Sequence, residues 1–149
     1  MMDIIEFLDK HEILWFPIHI EIVNNKKSPR RVGPFENGEP WVDTWRPNTK
    51  DIEYMKGFID ECNALAIDTT TIHQLDIDDP KYQMLSSNGP YYESFCRKLP
   101  HIFYKTNVKP KLPIQPDKFF LGVEDLTGRW AFARKGSQVI NHNLKIAIR

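Results

Sequence analysis

The alternation of apolar and polar residues predicts a strand near the middle of the chain that carries two carboxylates. Leu75 and Ile77 alternate there with Asp76 and Asp78. Successive side chains of a strand point to opposite faces, so the two apolar residues share one face and the two acids share the other. The Asp-Pro step at Pro80 then ends the strand in a turn.

Helical spacing of apolar residues predicts two helices. The first extends from Asp3 to His11. The second begins near Asn48 or Thr49, which are both good cap residues, and extends to about Cys62.

Several other segments have the alternation or the β-branched and aromatic composition of strands. They run from Ile18 to Ile22, from Ala64 to Ile67, from Leu99 to Lys105, from Phe119 to Glu124 and from Trp130 to Arg134. Residues 24–47 are rich in Pro, Gly, Asn and charge and are predicted as a long loop, and residues 82–95 as loop that can include a helical turn. Strands interleaved with two helices predict an α+β fold, a two-layer α/β domain.

Composition narrows the class of protein. A length of 149 residues fits a single domain, 1–149, and 41% hydrophobic residues favour a folded globule. Lys plus Arg equals Asp plus Glu at 20 each, so the chain as a whole carries no basic footprint for nucleic acid. The two cysteines form no CxxC pair, and the N-terminus suits neither a signal peptide nor a membrane-spanning helix. We therefore expect a cytoplasmic protein with no membrane partner, and the chain can be a fragment of a longer one.

The paired acids are the strongest chemical signal. Asp76 and Asp78 repel each other unless a cation lies between them, and Mg²⁺ commonly takes one or two carboxylates together with substrate phosphates. The pattern therefore indicates phosphoryl-transfer chemistry. The alternative is a solvated turn in which Asp78 or Asp79 caps the chain before Pro80.

A histidine opens the next strand-like segment. His101 and Lys105 share one face of that strand, an arrangement suited to gripping an anionic phosphate chain. The alternative is a partly buried histidine that is satisfied by a backbone carbonyl.

A third acid follows further along the chain. If Phe119 and Val123 face the core, strand parity places Glu124, rather than Asp125, on the opposite face, although a bulge would reverse the choice. The alternative is an acidic hairpin end.

A basic cluster precedes these motifs. Lys26, Lys27, Arg30 and Arg31 suit a solvated loop, and they could equally track a nucleic-acid backbone or a triphosphate. Trp41 and Trp45, in the same predicted loop, suit either base stacking or packing.

In this order the motifs resemble the archaeo-eukaryotic primase superfamily, in its primase-polymerase branch. The likeness is to the N-terminal domains of primase-helicases of nucleocytoplasmic large DNA viruses. It is carried by Trp15-Phe16-Pro17-Ile18, Lys26-Lys27-Ser28-Pro29, Leu75-Asp76-Ile77-Asp78, Leu99-Pro100-His101-Ile102-Phe103-Tyr104 and Glu124-Asp125-Leu126-Thr127-Gly128-Arg129-Trp130.

The resemblance implies an RRM-like catalytic core and a DNA primase or polymerase that acts in DNA replication. Asp76, Asp78 and Glu124 (or Asp125) would bind Mg²⁺ or Mn²⁺. His101 would hold the triphosphate of the incoming nucleotide, helped by Lys105 and by Lys26 or Lys27. The partners implied are a DNA template, nucleoside triphosphates and a replicative helicase in the same chain or beside it.

The chain departs from the family pattern at two places. Arg97-Lys98-Leu99-Pro100 replaces the Gly- or Ser-rich approach to the histidine, and the third acid is Glu124 where the family usually has Asp. Two alternatives therefore stay open: a catalytically inactive primase-like module that binds nucleic acid, and a metal-dependent nuclease.

Overall fold

The computed structural model describes residues 1–31, 46–96, 98–107, 117–120 and 122–148, with the side chains of 117–120 excepted. Trp41, Trp45 and most of the loop predicted for 24–47 lie outside these residues. The described elements are β1 (Met2–Asp3), α1 (Ile4–Lys10), β2 (Trp15–Val23), β3 (Lys26–Arg30), α2 (Thr49–Lys56), a 3₁₀ turn (Ile59–Glu61), β4 (Ala64–Asp68), β5 (His73–Ile77), a 3₁₀ segment (Pro80–Asn88), β6 (Tyr91–Glu93), β7 (Pro100–Lys105), β8 (Asp117–Phe120), β9 (Val123–Asp125), β10 (Trp130–Arg134), β11 (Gln138–Val139) and β12 (Ala147–Ile148).

Both predicted helices are present, and each begins at a capping side chain. Asp3 accepts a hydrogen bond from the backbone N–H of Ile5 at the start of α1, and Asn48 accepts one from Asp51 at the start of α2. The prediction that the second helix reaches Cys62 was wrong. The helix ends at Lys56. Gly57 caps it with an N–H that bonds to carbonyl oxygens of the preceding turn, and a 3₁₀ turn follows.

A four-stranded antiparallel sheet has the order β10-β4-β2-β3. Its central strand β4 is apolar on both faces, because both faces are covered. One face packs with α1 and with aromatic residues of the second sheet, and the other packs with Ile52 and Met55 of α2. Burial on two faces explains why β4 reads as a continuous apolar run rather than an alternating one.

The loop prediction was wrong for the basic cluster. Lys26–Arg30 forms β3, which pairs antiparallel with β2. Asn24 and Asn25 connect the two strands with positive φ angles of 51° and 62°. Two such residues form the tight turn whose twist matches a hairpin, and asparagine tolerates that conformation better than most residues.

A six-stranded sheet holds the predicted acidic strand and the predicted His strand. Its order is β12-β7-β5-β9-β8, and β6 pairs with the same edge of β7 as β12 does. The segment Pro80–Asn88 lies against one face, where Tyr82 and Leu85 pack on Ile77, Ile102 and Val123. The other face packs partly on α1, through the contact of Phe7 with Phe103.

The predicted strand from Phe119 to Glu124 is two strands rather than one. Gly122 has a φ of +95° between β8 and β9, which pair with each other antiparallel. That conformation interrupts a strand and suits glycine, so the chain reverses there. With sheets that are mostly antiparallel and two helices among its described elements, the chain has the predicted α+β class.

No helix in the described part of the chain has both the length and the apolar character needed to cross a membrane.

Asn63, the residue before β4, extends the hydrogen bonding between β4 and β2 through its side chain. Its Nδ2 donates to the Ile20 carbonyl and its Oδ1 accepts from the Ile20 N–H, both at 2.8 Å. We expect Asn63→Ala to lower the free energy of unfolding by about 1–3 kcal/mol, because two backbone groups lose their partners. Urea denaturation measures the loss. The exposed Asn88→Ala is the control, and equal effects of the two substitutions would contradict this role.

The two cysteines should differ in reactivity. Cys62 is buried, and burial raises the pKa of its thiol to about 11, whereas Cys96 is exposed. Because the thiolate is the nucleophile, Cys62 stays in its unreactive thiol form at neutral pH. We expect one rapidly labelled thiol per native chain when a maleimide adduct is located by mass spectrometry, and two after denaturation. Rapid labelling of Cys62 in the native chain would contradict the described burial.

Candidate metal centre

Strand register brings two of the predicted acids and the predicted histidine side by side. Asp76 in β5 is paired with His101 of β7 on one side and with Glu124 of β9 on the other. Residues directly opposite each other in neighbouring strands share a face, with Cβ atoms about 5 Å apart. The face that the alternation assigned to Asp76 therefore carries all three side chains.

Asp78 lies one residue beyond the end of β5, and backbone hydrogen bonds hold it in place. The Gly122 carbonyl accepts from the N–H of Asp78 at 2.8 Å and from the N–H of Asp79 at 3.2 Å. Gly122 is also two residues before Glu124 in the neighbouring strand. The turn between β8 and β9 thus ties the segment of the second aspartate to the strand of the glutamate.

Asp76, Asp78 and Glu124 form one acid cluster. One carboxylate oxygen from each lies within 4.8 Å of the others, and all three residues are partly buried. Carboxylate oxygens are the donors that hard divalent cations prefer, so the donor set suits a metal ion of that kind. The cluster could hold a metal ion.

The structure places Glu124, not Asp125, in the cluster, as strand parity predicted. Asp125 pairs with Leu75 and so lies on the opposite face of the sheet. Its Oδ1 accepts from the Thr127 N–H at 3.1 Å and from the Thr127 hydroxyl at 2.6 Å. Asp125 therefore has a structural role in the turn after β9, and the metal-ligand role considered for it is not supported.

His101 is buried against the acid cluster. Its side chain is 4% exposed, and its Nε2 lies 3.2 Å from Oδ1 of Asp76. Its Nδ1 lies 3.1 Å from Oε1 of Gln74 and 3.3 Å from the hydroxyl of Tyr92. The alternative of a histidine satisfied by a backbone carbonyl does not describe it, since both ring nitrogens contact side chains. Binding of a triphosphate by His101 stays a prediction.

Two residues of this site were missed by the sequence reasoning. Tyr92 and Gln74 are fully buried, and the Tyr92 hydroxyl donates to Oε1 of Gln74 at 2.7 Å. Burial raises the pKa of Tyr92 far above its usual range, so the phenol stays protonated as a donor. Tyr92 falls in a segment predicted as loop. For Gln74, the sequence indicates only that it shares a face of the strand with Asp76.

The predicted lysines lie apart from the acid cluster in the described contacts. Lys105 is four residues beyond His101 along β7, a distance of about 13 Å, and Phe103 of the core lies between them. Lys26 and Lys27 are exposed on β3 in the other sheet, where Lys27 Nζ lies 5.9 Å from the ring centre of Phe132. Their role in binding phosphates stays a prediction.

Comparisons with protein-family models, with curated proteins and with solved structures each give no match for this chain. The geometry of the acid cluster and the sequence motifs are thus the basis for a functional proposal.

Gly122 should be required for the acid cluster. A Cβ added there would lie 2.6 Å from the Cβ of Asp79, so Gly122→Ala must displace the segment that carries Asp78. We expect Mn²⁺ affinity to fall by about tenfold or more, as it does when metal ligands lose their supporting contacts. Quenching of the free Mn²⁺ signal in electron paramagnetic resonance measures the affinity.

Gly136→Ala is the matched control. Gly136 also has a positive φ, +85°, but an added Cβ would meet nothing within 4 Å. It therefore carries the same backbone strain without the collision. Equal Mn²⁺ affinities for the two alanine variants would contradict the positioning role of Gly122.

Proposed function

We propose that this chain is a metal-dependent nucleotidyl transferase, a DNA primase or primase-polymerase domain that acts in DNA replication. The observation that carries the proposal is the acid cluster of Asp76, Asp78 and Glu124 beside His101. These are the residues to which the sequence motifs assign the metal site and the nucleotide site, although they are up to 48 positions apart in the chain.

The finer fold proposal is an RRM-like catalytic core within the six-stranded sheet. Three features support it: the acidic strand β5 is central, it is antiparallel to the His strand β7 and to the third-acid strand β9, and a helical segment covers the face away from the acids.

In this proposal Asp76, Asp78 and Glu124 would hold Mg²⁺ or Mn²⁺. An ion of this kind would supply a lower pKa for an attacking hydroxyl and would offset the charge of the transferring phosphoryl group. The 3′-hydroxyl oxygen of a primer would form a bond to the α-phosphorus of a nucleoside triphosphate, the bond from that phosphorus to the pyrophosphate oxygen would break, and the hydroxyl proton would pass to solvent water. The carboxylates supply the fixed negative charge that keeps the cation at the point of transfer.

The same motifs suggest which lysine side chains contact the phosphate chain of the nucleotide and the DNA template. Lys26 and Lys27 are exposed on a hairpin that projects charged side chains into solvent, which suits contact with a phosphate backbone. Lys105 is likewise exposed at the end of β7. A replicative helicase, in the same chain or beside it, would unwind the template.

Extension of a labelled primer-template with Mn²⁺ or Mg²⁺ tests the proposal. We expect the intact chain to incorporate nucleotides, and Asp76→Asn/Asp78→Asn to lose at least about a thousandfold in rate, because the neutral amides cannot hold the cation. Asp79→Asn is the matched control, because Asp79 lies beside the acid cluster in the sequence. Its Oδ1 accepts a hydrogen bond from the Lys81 N–H, and an asparagine side chain can accept the same bond.

The other outcomes distinguish the alternatives. Metal-dependent loss of the template without incorporation would favour a nuclease that uses the same acids. Binding of DNA or nucleotide with neither activity would favour an inactive primase-like module. Extension that survives in the double variant would place the active site elsewhere and contradict the proposal.

A further inference from the structure

A chain of buried polar side chains leads from Tyr92 through Gln74 and His101 to Asp76. Tyr92 and Asp76 are the cross-strand partners of His101 on its two sides, and Gln74 is two residues before Asp76 on the same face of β5. All the links are within hydrogen-bonding distance: 2.7 Å from Tyr92 to Gln74, 3.1 Å from Gln74 to His101 and 3.2 Å from His101 to Asp76. A buried tyrosine ring thus connects to a partly buried carboxylate through two side chains.

The contacts of the two ring nitrogens fix the orientation of His101. Nδ1 lies against the Gln74 carbonyl oxygen and the Tyr92 hydroxyl, and Nε2 lies against Oδ1 of Asp76. An ionised carboxylate can only accept, so the hydrogen bond to Asp76 is donated by Nε2–H. The imidazole ring therefore has a single orientation, which places an N–H donor on Asp76.

Gln74 gives independent support for a role of this network, because its amide nitrogen is buried without a hydrogen-bond partner among the described residues. Gln74 is fully buried, and among the described residues its Nε2 has no hydrogen-bond partner. An apolar side chain of similar size would avoid an unpaired buried donor at this position. The amide is explained by its oxygen, which accepts from the Tyr92 hydroxyl and lies 3.1 Å from Nδ1 of His101.

We propose that Tyr92 and Gln74 are positioning residues, which fix His101 so that it holds Asp76 in the orientation that binds the metal ion. The inference rests on the proposed function in one respect, that the acid cluster binds a divalent cation. Groups that orient a ligand from behind are nearly as important to a metal site as the ligands, because they prevent the carboxylate from rotating away. His101 also lowers the repulsion within the cluster by donating to one of its members.

Titration of the purified full chain with Mn²⁺, followed by electron paramagnetic resonance, tests the inference. We expect His101→Ala to weaken Mn²⁺ binding by about 10- to 100-fold, the usual effect of removing such a partner. His101→Gln should recover most of the affinity, because its amide N–H can donate to Asp76. Tyr92→Phe removes one hydroxyl and preserves the packing, and it should weaken binding severalfold.

His73→Ala is the matched control. His73 is in the neighbouring strand β5, is buried like His101, and donates from Nδ1 to the Thr69 carbonyl on the opposite face of the sheet. The two alanine substitutions should lower the thermal unfolding midpoint by similar amounts, so a difference in Mn²⁺ affinity cannot be attributed to lost stability.

The outcomes separate this inference from the proposed function. Wild-type Mn²⁺ affinity in both His101→Ala and Tyr92→Phe would overturn the positioning role and leave the metal site intact. Weakening in His73→Ala equal to that in His101→Ala, or failure of His101→Gln to recover affinity, would also overturn it. Absence of Mn²⁺ binding by the unmodified chain would overturn the metal site and the inference together.

Discussion

Repulsion among three carboxylates is the constraint on which the site depends. Two unit charges 4 Å apart repel by about 1 kcal/mol in water and by about 4 kcal/mol near a protein surface. The total for the cluster is therefore a sizeable part of the stability of a domain of this length. The fold holds the acids together by strand register, by the two amides that donate to the Gly122 carbonyl and by the contact of His101 with Asp76. Each of these restraints is non-local in sequence.

Local signals were sufficient for the elements with strong patterns. Asp3 and Asn48 cap the helices that they were expected to start, and the acidic and His strands lie where alternation and β-rich composition placed them. The hairpin strand Lys26–Arg30 was missed because charged residues and a proline are typical of loops. Its strand conformation comes from pairing with β2, which local composition does not encode.

The part of the candidate site that depends on the alternation of side chains along a strand could be predicted from the sequence. Alternation placed Asp76 on its face and selected Glu124 over Asp125, because a single residue changes the face. The contribution of Tyr92 was not predictable, since it depends on β6 pairing with β7. The sequence also did not indicate that the Gly122 carbonyl accepts a hydrogen bond from the Asp78 N–H. A glycine in a strand pattern carries no information about the partner of its carbonyl oxygen.

The hairpin strand β3 has a further consequence for the behaviour of the chain in concentrated solution. It forms one edge of the four-stranded sheet, and such an edge is a template on which another molecule can add a strand. Lys26, Lys27 and Arg30 place positive charge along that edge, and Pro29 has no N–H to offer. The same residues that suit a phosphate backbone therefore also guard the protein against edge-to-edge aggregation.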